Sequence, residues 1–154
     1  MSLLARINDD IAAAMRAREA ARLGTLRLIK SALVNREVER GRALDEAEEL
    51  QVLQQMVKQR RDAIDQFRSG GREDLAAKDE AEIALLSTYL PPAADAAAID
   101  AAVDAAIAET GASSVKDMGR VMKAAQARLA GLTADGRTVS ETVKRKLSSN
   151  PTAP

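Results

Sequence analysis

The 154-residue chain has no cysteine, no histidine and no tryptophan, and its only aromatic residues are Phe67 and Tyr89. Without imidazole or thiolate it cannot assemble the common zinc sites, cysteine nucleophiles or histidine-based triads. Both aromatic residues sit at helical core spacing, which leaves no platform for stacking single-stranded bases. Any nucleic acid held here would be structured RNA, gripped through its phosphates. The absence of cysteine fits a reducing compartment. No apolar run approaches the roughly 18 residues of a membrane span. The opening Met1-Ser2-Leu3-Leu4-Ala5-Arg6 meets Asn8, Asp9 and Asp10 before a signal-peptide core can develop. A cytoplasmic protein with no membrane contact is expected.

Alanine fills 32 of the 154 positions, while β-branched and aromatic residues are scarce. Alanine is the best helix former, so the expected fold class is all-α. A first stripe, Leu4, Ile7, Ile11 and Met15, follows Ser2 as candidate N-cap and is interrupted by Arg18, Glu19 and Arg22, which predicts a turn near residues 16–20. A second stripe, Leu23, Leu26, Ile29 or Lys30, Leu33 and Val34, runs to Gly41, a candidate C′ glycine. Asp45 with Glu48 three residues on forms a variant capping box. The helix it opens carries Leu50, Leu53, Met56, Val57, Ile64 and Phe67 and ends at Gly70-Gly71. A fourth helix, with Leu75, Ile83, Leu86 and Leu90 inward, stops at Pro91-Pro92.

The second half repeats these signals on a smaller scale. Asp95 can cap a helix through Ile99, Val103 and Ile107 to Gly111, Ser113 or Ser114 can cap the next, and a last helix from Asp135-Gly136 presents Val139, Val143 and Leu147. The expected organisation is an N-terminal four-helix domain over residues 1–92, a C-terminal three-helix domain over 93–148 and a frayed tail over 149–154, with a proline hinge between the domains.

The charge total is zero, 23 basic against 23 acidic residues, but it is unevenly laid out. Asp95, Asp100, Asp104 and Glu109 form an acidic segment without a base. From Lys116 to Lys146 there are eight bases and only Asp117, Asp135 and Glu141 to oppose them. On a helix beginning near Ser114, Lys116, Arg120 and Lys123 share one face, opposite Met118, Val121, Met122, Ala125 and Leu129. Like charges at that spacing cost a few tenths of a kcal/mol, so a negatively charged partner is one reading and an ordinary solvated face the other. Lys144, Arg145 and Lys146 can equally complement the negative end of the last helix. The first two helices, with nine bases to five acids up to Arg42, carry the same two readings.

Other constellations read as structural. Ser113-Ser114 with Lys116 fits N-capping better than a Ser-Lys nucleophile. Gly70-Gly71-Arg72-Glu73-Asp74 lacks the Lys-Ser/Thr of a phosphate loop, and its acids suit a helix N-terminus. Glu73, Asp74, Asp79 and Glu82 lack the Glu-x-x-His element of a di-metal bundle, and salt bridges to Lys58, Arg60 and Arg61 are expected instead. Gly119, in mid-helix, suggests close approach of a neighbouring helix or a ligand. Asp135-Gly136 is a turn in which either the glycine takes a positive φ or the aspartate caps.

Val57-Lys58-Gln59-Arg60-Arg61-Asp62-Ala63-Ile64, Phe67, Gly71-Arg72-Glu73-Asp74-Leu75 and Tyr89-Leu90-Pro91 together resemble the N-terminal half of the YqeY family of small bacterial proteins. Gly111-Ala112-Ser113-Ser114, Asp117-Met118-Gly119-Arg120-Val121-Met122 and Ala134-Asp135-Gly136 with Val139 resemble the module this family shares with the tail of the B subunit of the tRNA-dependent glutamyl/aspartyl amidotransferase. The resemblance runs from Leu3 to Leu147. It implies an N-terminal helical domain and a C-terminal three-helix domain, with tRNA or an aminoacyl-tRNA-processing complex as partner, no cofactor and no metal. Carried over residue by residue, it marks Lys58, Arg61, Gly71, Arg72, Asp74, Asp117, Met118, Gly119, Asp135 and Gly136 as motif positions. RNA contacts are expected from Lys116, Arg120, Lys123, Arg128, Arg137, Lys144 and Arg145. Family usage also implies carbon–nitrogen ligase activity with glutamine as amide donor, but the catalytic domain of such a ligase is missing here, so a module with no catalytic residue of its own is expected. Where the family often has a glycine and a lysine-rich segment, this chain has Ala124-Ala125 and Gly131-Leu132-Thr133, which thins the expected basic surface. A protein adaptor docking through the N-terminal helices is the remaining alternative.

Overall fold

High alanine content and closely spaced caps give the expected helices. The computed structural model describes residues 1–149, and within them the chain is all-helical: α1 (Leu3–Ala17), α2 (Ala20–Arg40), α3 (Glu46–Ser69), α4 (Glu73–Ser87), α5 (Ala96–Thr110), a 3₁₀ turn (Val115–Asp117), α6 (Met118–Arg128) and α7 (Gly136–Ser148). Backbone contacts gather these elements into two units, one spanning Met1–Leu90 and the other beginning at Pro91.

In the first unit Ser2 caps α1, its hydroxyl oxygen accepting from the Ala5 amide. The α1–α2 turn is made by Arg18, a non-glycine residue in the left-handed region at φ 58°. Gly41 closes α2 with φ 69°. The capping box at α3 forms in both directions: the Asp45 carboxylate accepts from the Glu48 amide at 2.8 Å and the Glu48 carboxylate accepts from the Asp45 amide at 3.0 Å. After α3 the left-handed turn falls on Gly71, where the Arg72 amide reaches back to the Phe67 carbonyl at 2.7 Å. Leu3, Ile7, Leu26, Ile29, Leu33, Leu53 and Leu86 form the centre of the core.

Two expected core positions shift. Met15 is 54% exposed, and Ala14 is fully buried in its place, with Leu4 and Ile11 at the edge of the core. The turn to α2 follows within a few residues, and the small Ala14 side chain allows close packing there. Phe67 is half-buried where burial was expected, one turn beyond the buried Ile64, and Tyr89 is buried as expected. The helix α4 ends at Ser87, and Thr88, Tyr89 and Leu90 continue as turns that donate back to Leu85, Leu86 and Ser87.

In the second unit Asp95 caps α5 by accepting from the Ala98 amide at 2.7 Å, and Gly111 ends that helix at φ 65°. Ala106, Val103, Val121, Ala125, Val139, Val143 and Leu147 fill the core between α5, α6 and α7. Neither Ser113 nor Ser114 caps α6 with its side chain. Ser114 precedes the 3₁₀ turn without a side-chain cap bond, and the Ser113 amide donates to the Asp117 carboxylate at 3.2 Å. A carboxylate is the stronger acceptor, and pulling the chain back onto Asp117 tightens residues 115–117 and delays the α-helix to Met118. At α7 the aspartate does the capping: Asp135 accepts from the Arg137 amide at 3.3 Å, and Gly136 has no positive φ. Ser148 is the last residue of α7, and Ser149 is bonded back to the Arg145 carbonyl. The rest of the expected frayed tail lies outside the described residues.

Candidate nucleic-acid interface

The acidic and basic segments of the second unit face one another. Asp100 and Asp104 project from α5 toward α7, where Arg145 donates to Asp100 at 3.1 Å and Lys146 to Asp104 at 2.8 Å. Glu109 near the end of α5 takes Arg128 of α6 at 3.1 Å. Arg120 binds Asp117 within its own first turn. Asp117 is held below the usual carboxylate range, chiefly by the Arg120 guanidinium and then by the Ser113 amide.

This pairing sorts the expected RNA-contacting residues. Lys116, Arg120, Lys123, Arg128, Arg137, Lys144 and Arg145 are all exposed. Arg120, Arg128 and Arg145 already neutralise acids of the same unit. Arg137 follows the α7 cap, and its amide donates to Asp135. Among the described residues, Lys116, Lys123 and Lys144 have no ion-pair partner. Lys116 lies in the 3₁₀ turn and Lys123 on α6, so the expected continuous helical face from residue 114 is broken at Met118. The inward side agrees with expectation: Val121, Ala125 and Leu129 are buried and Met118 and Met122 partly so.

Gly119 does not mark a close approach. It is the second residue of α6, exposed, and a β-carbon built there meets no atom within 4 Å. In the first unit the expected salt bridges are partly redirected. Arg60 does join Glu82 across α3 and α4 at 2.7 Å, both side chains being only 14% exposed, and Arg60 also donates to the Met56 carbonyl. Glu73 and Glu80 instead take Arg68, and Asp74 takes Arg72, whose guanidinium holds the Asp74 carboxyl below its ordinary range. Lys58 and Arg61 are exposed on the outer side of α3.

Two arrangements add to what the residue pattern suggests. Tyr89, from the Tyr-Leu-Pro motif, donates its hydroxyl to Asp10 of α1, and the Arg6 guanidinium lies 5.3 Å from the ring centroid. Burial, reinforced by the bond to Asp10, pushes the Tyr89 phenol up to about 12. Thr133, in the stretch that replaces the family's lysine-rich segment, bonds to Pro91, Pro92 and Ala94. The tyrosine could have been suspected from its place in the motif, whereas Thr133 carries no local signal.

The family described as Yqey-like protein matches residues 4–147. Among curated proteins, altered inheritance of mitochondria protein 41 of the yeast Lachancea thermotolerans is 33% identical over 109 residues, covering 69% of this chain and 58% of that protein. The protein of the same name from Eremothecium gossypii is 32% identical over 109 residues, 69% of this chain and 60% of its own length. The chain therefore spans less than two thirds of these relatives. Their names correct two expectations. The family is not confined to bacteria, since these relatives are from yeasts, and the cytoplasmic location is overturned by relatives named as mitochondrial. No described helix is long and apolar enough to cross a membrane. With its match running across nearly every helix, the chain belongs to the YqeY-like family.

Proposed function

We propose that the chain is a non-catalytic helical module that binds tRNA, or an enzyme complex carrying tRNA, with the edge formed by Lys116, Arg120 and Lys123 as the primary contact and Lys144 as a further one. In this reading α1–α4 and α5–α7 act as separate domains, and the second holds the RNA. The carrying observation is the selective pairing of charge. Arg128, Arg145 and Lys146 are engaged with α5, while Lys116, Lys123 and Lys144 stand exposed without ion-pair partners among the described residues. Unpaired surface cations that neutralise phosphates release the counterions condensed on the nucleic acid, and that release is the main source of sequence-independent affinity. Arg120 is 62% exposed beside Asp117 and can exchange its carboxylate for a phosphate. The relatives' names supply mitochondria as the setting of the proposal.

Filter binding of the full chain to total tRNA at two salt concentrations tests it. Retention at low salt, with log affinity falling against log salt at a slope of about three for three phosphate contacts, is the expected result. Absence of binding at low salt, or equal binding by a Lys116→Glu/Arg120→Glu/Lys123→Glu variant, overturns it.

A further inference from the structure

The segment after Tyr89 reads in the sequence as a proline hinge, yet the backbone there is held at nearly every residue. On one side, the amides of Thr88, Tyr89 and Leu90 donate to the carbonyls of Leu85, Leu86 and Ser87 at 3.1, 3.1 and 3.3 Å, and Leu90 packs at the edge of the first core. The Tyr89 hydroxyl adds its bond to Asp10. On the other side, where Ala94 packs at the edge of the second core, the hydrogen bonds among the described residues converge on one residue. Thr133 donates its hydroxyl to the Pro91 carbonyl at 2.7 Å and its amide to the Pro92 carbonyl at 2.9 Å, and its own carbonyl accepts from the Ala94 amide at 2.8 Å. Ala93 and Thr133 thereby form an isolated parallel bridge.

We infer that residues 91–94 are not a free hinge but a strap latched by Thr133 into the second unit. The proline rings fix φ at residues 91 and 92. The Thr133 bonds fix the carbonyls that follow those rings, and Pro91 keeps Leu90 itself out of the helical region. The latch acts on the loop that leads directly into the Asp135 cap of α7, so holding the strap and starting α7 use the same short stretch, Thr133-Ala134-Asp135. Threonine suits the task because its hydroxyl supplies a third bond that the backbone alone cannot make, and its branched side chain restricts the rotamers from which that bond is lost.

Amide hydrogen exchange on the full-length chain, read by NMR, tests the latch. In the wild type the Ala94 and Thr133 amides are expected to exchange much more slowly than free-chain amides. Thr133→Val removes the bond to Pro91 and is expected to speed exchange at Ala94 by about five-fold, the equilibrium factor of one ordinary hydrogen bond, with α5 amides unchanged. Thr133→Ser keeps the hydroxyl and is expected to retain most of the protection. Free-chain exchange at Ala94 and Thr133 in the wild type overturns the inference, whether or not the valine variant folds. Exchange at Ala94 that is equal in wild type and Thr133→Val overturns it too.

Discussion

Asp100 on α5 and Arg145 on α7, forty-five positions apart in the chain, meet at 3.1 Å, and the neighbouring Lys146 lies 2.8 Å from Asp104. An acidic helix and a basic helix that look in the sequence like opposite poles are in large part each other's counterions. Because both members of the Asp100–Arg145 pair are about half exposed, the contact adds little stability, about 0 to 1 kcal/mol. Its larger effect is on what the basic residues are free to do.

Releasing those cations is therefore expected to strengthen the proposed RNA contact. An Asp100→Asn/Asp104→Asn variant should bind tRNA several-fold more tightly at low salt, with a steeper salt dependence, while losing less than about 1 kcal/mol of stability. Filter binding together with urea unfolding measures both, and unchanged affinity would mean that Arg145 and Lys146 lie away from the contact.

Tyr89 is the sole tyrosine in a chain without tryptophan, so its ionisation can be followed cleanly by ultraviolet absorbance. Burial first, and then the bond to Asp10, should delay tyrosinate formation to about pH 12. Since the folded value lies above the ordinary phenol value near 10, the stabilisation linked to this proton is complete below about pH 10 and is lost as the pH rises toward 12. Tyr89→Phe should remove that alkaline loss and lower stability at neutral pH by about 1 kcal/mol. An absorbance midpoint near 10 in the folded protein would contradict the arrangement.

Glu48 accepts two bonds from Arg42, at 2.8 and 2.9 Å, as well as the Asp45 amide, and these hold its carboxyl at about 2. The Arg42 bonds are the main cause, so Arg42→Ala should move the Glu48 midpoint up toward the ordinary carboxylate range, as read by carbon-13 NMR. The depressed value means that this contribution is present above about pH 4.5 and fades as the pH falls toward 2. Asp45→Ala, which removes the other half of the box, should cost about 1 kcal/mol.

Gly24 lies inside α2 with nothing within 4 Å of a built β-carbon, and Gly119 is equally open. Gly24→Ala should stabilise the protein by about 0.5 to 1 kcal/mol through helix propensity alone. Gly119→Ala should gain less because it stands at a helix end. If it also weakens tRNA binding, an RNA backbone approaches α6 at that glycine, whereas unchanged binding places the contact on the long side chains around it.

The signals that could be read from the sequence were those whose chemistry closes within one turn. Asp45 with Glu48, Asp95 at α5, and the glycines at 41 and 111 need only residues three or four apart. The fold class followed from alanine content for the same reason. Ser113 and Ser114 misled because the bond there runs the other way: the Asp117 carboxylate reaches back to accept the Ser113 amide, and Ser114 makes no side-chain cap bond. Met15 misled because helical spacing alone does not choose between Ala14 and Met15; the nearby turn does. The charge layout was the least legible: Asp100 with Arg145 and Glu109 with Arg128 are pairs that exist only after α5, α6 and α7 have packed. Thr133 is of the same kind, an ordinary loop residue until the prolines come alongside.

Asp117 receives its two donors on different oxygens, the Ser113 amide on Oδ2 and the Arg120 guanidinium on Oδ1. The division makes the arginine a detachable counterion: Arg120 can swing away to another anion while the same carboxylate still anchors the 3₁₀ turn through Ser113. Binding there would then cost the local fold one exposed ion pair and no backbone bond, so that occupancy by a phosphate and integrity of the turn are separable events.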